Sequence, residues 1–106
     1  MESKYQVCFT PEASDQLVEL YQYISEHGSP VTAETYTSAI VTYCEDLHTF
    51  PHRGTKRNDV LPGLRITNYR KTAVIAFSVS EEQKLVTILG VFYGGQNYEE
   101  LLSNDN

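Results

Sequence analysis

The chain has 106 residues, 41% of them hydrophobic and 21% charged, with a formal net charge of −6. That length suits one domain with a single core and is too short for a second, and the apolar content is enough for folding, so disorder is not the default expectation. The acidic balance argues against nonspecific polyanion binding, which goes with proteins basic throughout, and no apolar run approaches the about 20 residues that span a bilayer.

The opening MESKYQVCF has no charged-then-apolar leader, so a cytoplasmic protein without a membrane partner is expected. The first strand is predicted over Tyr5 to Phe9. The segment TPEASDQLVELYQYISEHG then has both ends of a helix written into it: Thr10 can cap, Pro11 suits the first position and Gly28 the stop. Ala13, Leu17, Leu20, Tyr21 and Ile24 share one face. A second helix is predicted from Ser29 as cap and Pro30, with Ala33, Tyr36, Ile40, Tyr43, Cys44, Leu47 and Phe50 along one stripe and Pro51 as terminator. The short link between the two helices predicts an antiparallel helical hairpin.

From Leu64 the pattern changes to LRITNYR, TAVIAFSV and LVTILGVFY, short runs rich in β-branched and aromatic residues. Leu61-Pro62-Gly63-Leu64 fits a type II turn that launches the first of them. Ala73, Ile75, Phe77 and Val79 are expected on one face of the middle run, with Val86, Ile88 and Phe92 on one face of the last. The polar link Ser80 to Lys84 joins these two as an antiparallel hairpin. The tail NYEELLSNDN either forms one helical turn or frays. The result is an α+β domain, β-α-α-β-β-β, with an antiparallel sheet and an N-terminal helical hairpin on one face.

Cys8 and Cys44 lie far apart without CxxC or Cys/His spacing, and His27, His48 and His52 do not cluster with them. Reduced thiols in or near the core are expected, with no metal and no cofactor. Charge is distributed unevenly. Thr10 to Phe50 holds seven acids and no Lys or Arg, while Pro51 to Lys71 holds six basic residues (Arg53, Lys56, Arg57, Arg65, Arg70, Lys71) against Asp59, a local charge of 6 − 1 = +5. Two readings stay open: the basic segment folds over the acidic helices in weak exposed ion pairs, or it offers a cationic patch to a phosphate or an acidic partner.

Four pieces in order, TPEASDQLVELYQYI, FPHRGTKR, DVLPGLR and ILGVFYGGQNYEELL, covering roughly Tyr5 to Leu102, resemble the RelE/ParE toxin superfamily and its ParE (plasmid stabilisation) branch in particular. The resemblance implies the toxin of a type II toxin–antitoxin module, held inactive by a cognate ParD-like antitoxin whose C-terminal segment wraps around it. Characterised ParE-like toxins poison DNA gyrase, while RelE-like ones cut mRNA on the ribosome. The fold serves both.

In RelE-type enzymes basic residues alternate along the strand after the helices, an arginine sits on the next strand, and an arginine and a tyrosine lie near the C-terminus. Laid on this chain, Arg65 keeps the first basic position, Thr67 replaces the second, and Val74 falls where the strand arginine would be. Gly90 and Gln96 stand where many relatives of both branches carry arginine, and Tyr93 remains. With no His–carboxylate pair evident in the sequence, the expected function is a gyrase inhibitor rather than an enzyme, with direct nucleic-acid binding not indicated. Candidate contacts to target or antitoxin are Arg53, Arg57, Arg65, Arg70, Tyr93, Gln96 and Tyr98. The alternatives are a ribosome-dependent endoribonuclease built on Arg65, Arg70, Lys71 and Tyr93, and a weakened toxin acting mainly as an antitoxin-binding, autoregulatory module.

Overall fold

The computed structural model describes residues 5–103, so the readings of residues 1–4 and 104–106 lie outside the described residues. Strand β1 (Gln6–Phe9) leads into helices α1 (Pro11–His27) and α2 (Pro30–Glu45); β2 (Thr55–Lys56), β3 (Arg65–Tyr69), β4 (Ala73–Ser80), β5 (Leu85–Tyr93) and helix α3 (Tyr98–Ser103) follow. Both long helices start as their caps predict. Thr10 Oγ1 accepts from the Ala13 N–H at 3.1 Å, Ser29 Oγ accepts from the Thr32 N–H at 3.1 Å, and a proline opens each first turn. The second helix ends sooner than its stripe suggests. After Glu45 the chain tightens into a 3₁₀ turn, Asp46–His48, which keeps Leu47 in the core but swings Phe50 outward to 61% exposure.

The sheet order is β1-β5-β4-β3-β2. Strands β2 to β5 pair antiparallel, but β1 pairs parallel to β5, with Gln6 opposite Leu85 and Phe9 opposite Ile88. The sheet is therefore mixed rather than wholly antiparallel. The helical hairpin is the cause: α1 climbs the sheet toward Tyr93 and α2 descends past Tyr69 and Thr67 toward His52, which returns the chain to its starting end. An up-down-up run of β3, β4 and β5 must then finish in the same sense as β1. The two-residue β2, which has no hydrophobic period to announce it, extends the far edge.

One core lies between helices and sheet, built on Leu20, Ile40, Cys44, Leu47, Ile75, Phe77, Val86, Ile88 and Val91. A second, smaller cluster of Leu64, Ile66, Ala76 and Phe92 occupies the opposite sheet face, covered by Val60, Leu61, Tyr98 and Leu102. Phe92 belongs to this second cluster and not with Val86 and Ile88. Ala76 pairs with Gly90 but Phe77 pairs with Ile88, so Leu89 is an extra residue and the side-chain alternation inverts beyond it. The turn before β3 is as read: the Leu64 N–H donates to the Leu61 carbonyl at 3.0 Å, and Gly63 takes φ 82°.

Burial decides the two thiols. Cys44 is fully buried and burial pushes its pKa up to about 12, whereas Cys8 is exposed on β1. A thiol reagent should label Cys8 in the folded protein and reach Cys44 only in denaturant. Equal labelling rates for both in native buffer would show that the core opens freely.

Candidate functional site

The sequence-predicted residues fall into three groups. The first surrounds the loop after α2. Arg65, half-buried on β3, donates from Nε to the Arg53 carbonyl at 3.3 Å and from Nη2 to the His52 carbonyl, so it ties this loop to the sheet. The Arg53 guanidinium lies 5.3 Å from the Tyr43 ring centroid and 5.8 Å from that of the outward-turned Phe50. Tyr43 is itself fixed through Thr67 Oγ1 at 2.9 Å and the Asn68 carbonyl at 3.0 Å. Neither arginine has a carboxylate partner among the described residues.

Arg57 is in a different state. Its Nε and Nη2 donate to the two carboxylate oxygens of Asp59 at 2.9 and 2.8 Å, and its Nη1 lies 2.7 Å from both the Tyr98 hydroxyl and Glu99 Oε2. These bonds raise the guanidinium pKa further and hold Asp59 below the usual carboxylate range. Tyr98 and Glu99 open α3, so Arg57 clamps that helix over the second cluster while Gly94 and Gly95, at φ 64° and 80°, make the bend that lays it there. The residue is a lock and not a free docking charge. Arg57→Ala should drop hydrogen-exchange protection of the α3 amides to that of a frayed terminus while β4 and β5 keep theirs; unchanged protection in α3 would show that apolar contact alone holds it.

The third group sits at the far end of β3 and β5. Arg70, at φ 55° in the β3–β4 turn, packs over Tyr69 at 5.4 Å, and Lys71 is exposed beside it. Tyr93 lies on the helix side, where burial and then the charge of Glu19 raise its phenol pKa, an arrangement that disfavours phenolate. Gln96 Oε1 accepts from the Tyr93 N–H at 3.0 Å, and Gln16 Oε1 accepts from the Val91 N–H at 2.7 Å. Two glutamines thus occupy edge donors of β5 beyond the reach of β1. The three groups do not converge on one pocket.

Two features escaped the sequence reading. His52 Nε2 pairs with Glu81 Oε2, and Glu81 Oε1 accepts from the Tyr5 hydroxyl at 2.5 Å. The three residues stand 76 positions apart at their extremes, beyond any local spacing rule. The pair of donors holds Glu81 below the usual carboxylate range, and the hydrogen bond to Glu81 raises the Tyr5 phenol. The second feature is a groove of about 640 Å³ on the outer side of the helical hairpin, lined by Leu17, Val18, Tyr21, Val41 and Thr42, with Val18 54% exposed. The basic segment touches α2 through Tyr43 but does not neutralise the helices: among the described residues none of its ion pairs reaches an acid of α1 or α2. The acidic and basic surfaces stay separate. Among the described residues no group of three or more His, Cys, Asp or Glu is placed to hold a metal, and no helix is long and apolar enough to cross a membrane.

Residues 7–98 match the family model described as "ParE toxin of type II toxin-antitoxin system, parDE". The chain belongs to the ParE toxin family. No curated protein matches the sequence. Among solved structures, a chain of a chromosomal ParDE toxin–antitoxin system from P. aeruginosa is similar with a TM-score of 0.73 at 21% identity, over 85% of this chain and 96% of that one. A chain of the RelBE2 toxin–antitoxin complex from Mycobacterium tuberculosis is similar with a TM-score of 0.66 at 24% identity, over 91% and 98% respectively. These likenesses bear out the α+β fold of the ParE chain. Both branches of the superfamily share it, so the shape does not distinguish a gyrase poison from a nuclease.

Proposed function

We propose that this ParE-family toxin is neutralised by a ParD-like antitoxin and acts by blocking DNA gyrase in the cytoplasm. The observation that carries the choice of target is the fate of two positions at which the resemblance places cations in RNA-cleaving relatives. Thr67 is buried and bonded to Tyr43, and Val74 packs against the apolar cluster under α3. Neither can present charge to a crowded phosphate, which an RNA-cleaving centre requires. Arg53, Arg65 and Arg70 remain as exposed or half-exposed cations for contact with the target, and the groove between α1 and α2 supplies the apolar surface that an antitoxin segment would cover.

Purified protein should inhibit gyrase supercoiling, and its induction without antitoxin should cause filamentation and an SOS response. Normal supercoiling at large molar excess would overturn the target. The His52–Glu81 pair is the one observation that favours the ribonuclease reading, because it supplies an acid–base couple beside Arg65. Under that reading, induction arrests translation with cleavage inside codons; intact transcripts after induction would remove it.

A further inference from the structure

At the end of the sheet where β3 begins and β4 finishes lies a cleft of about 290 Å³, lined by His52, Lys56, Asn58, Arg65, Val79 and Glu81. It is separate from the helical groove and from α3. Its polar groups have donors to spare. Arg65 commits Nε and Nη2 to two carbonyls, which among the described residues leaves Nη1 unpartnered and the charge without a carboxylate. Lys56 forms no ion pair among the described residues. Asn58 commits only Oδ1, to the Gly63 N–H at 2.8 Å, so its amide nitrogen keeps two donors. His52 uses Nε2 on Glu81 and retains Nδ1.

The single acid that lines the cleft among the described residues is already occupied. Glu81 takes the Tyr5 hydroxyl on one oxygen and His52 on the other, with Lys84 adding positive charge from the same turn. Two unpaired cations of different geometry, an amide donor and an imidazole thus face a space large enough for one tetrahedral oxyanion. Arginine supplies directional N–H bonds, lysine a mobile point charge, and the amide a neutral donor.

We propose that this cleft binds a phosphate group. The assignment rests on the cleft alone and holds whichever target the toxin has. Its test is a titration of the full-length protein, followed by ¹H–¹⁵N spectra at constant ionic strength, first with inorganic phosphate and then with a single-stranded trinucleotide. Saturable shifts are expected at the amides of His52, Lys56, Asn58, Gly63 and Glu81. Lys56→Ala should weaken binding about fivefold through loss of a charge-assisted contact, whereas Glu81→Gln should tighten it about threefold through loss of a like charge. Opposite signs for two neighbouring variants separate a site from general loss of fold, which the spectra also report. Binding of both ligands at these residues identifies the phosphate group itself as the ligand, and binding of the trinucleotide alone at the same residues identifies a nucleic-acid backbone as its source. Absence of saturable shifts with both ligands, or unchanged affinity in a folded Lys56→Ala variant, overturns the proposal.

Discussion

Phe77→Ala should lower the stability of this fold by about 3–5 kcal/mol, the cost of removing a fully enclosed aromatic side chain together with the cavity it leaves. Phe77 is the largest of the fully buried side chains and sits in the principal core beneath the helical hairpin. It stands between Arg65 on β3 and Ile88 on β5, immediately beside the register shift. Collapse around the gap is therefore restricted, because the bulge and the clamped loop fix the strands on both sides. A domain of this size has roughly 5–15 kcal/mol in total, so the loss takes a large share of it. Urea unfolding should show the midpoint falling at constant slope. Val31→Ala, at 76% exposure, should stay within about 0.5 kcal/mol. A Phe77→Ala loss below about 1 kcal/mol would contradict the packing described here.

Gly90→Arg should destabilise the protein and fail to strengthen its toxicity, although many relatives carry arginine at the corresponding place. A Cβ at position 90 would lie 2.7 Å from two carbons of the Phe92 ring and 3.2 Å from Gln16 Oε1, which is already held by the Val91 N–H. Phe92 is only 3% exposed and cannot turn aside without disturbing Leu64, Ile66 and Ala76. Overpacking alone should cost about 1–3 kcal/mol, and a guanidinium forced among those apolar side chains adds a desolvation penalty. Thermal denaturation measures the first effect and the supercoiling assay the second. An unchanged melting temperature with gain of inhibition would mean that Phe92 swings out and the position is open. Gln96→Arg provides the contrast. Gln96 is exposed, so the change should forfeit only the bond to the Tyr93 N–H, about 0.5–1.5 kcal/mol.

These two positions illustrate how far sequence reasoning reaches into the candidate site. Alignment by pattern treats residues 90 and 96 alike, as two missing arginines. Folded, one is a space required by a ring and the other is a cap on a strand edge. The same divergence runs through the basic segment: Arg57 is consumed in locking α3, Arg65 lends two donors to a loop but keeps a third, and Arg53 is stacked on aromatic rings. Charge is visible in a sequence, but its commitment depends on partners far away along the chain. An isolated glycine inside the run LVTILGVFY was a sign of the bulge that could have been used, and it would have placed Phe92 on the second face.

What the sequence determined by itself were the features governed by neighbours a few residues apart. Thr10-Pro11 and Ser29-Pro30 start the helices, three- and four-residue spacing selects their buried faces, Pro62-Gly63 turns the chain into β3, and four ordered motifs point to the family. Only the tertiary structure decided the parallel pairing of β1 with β5, the inversion at Leu89, the clamp of Arg57 on α3, and the meeting of Tyr5, His52 and Glu81. The reason is physical: caps and periodicity are set by bonds within one turn or one strand. Pairing sense and ion pairs between distant segments are set by where two returning helices and a shared core deliver the chain.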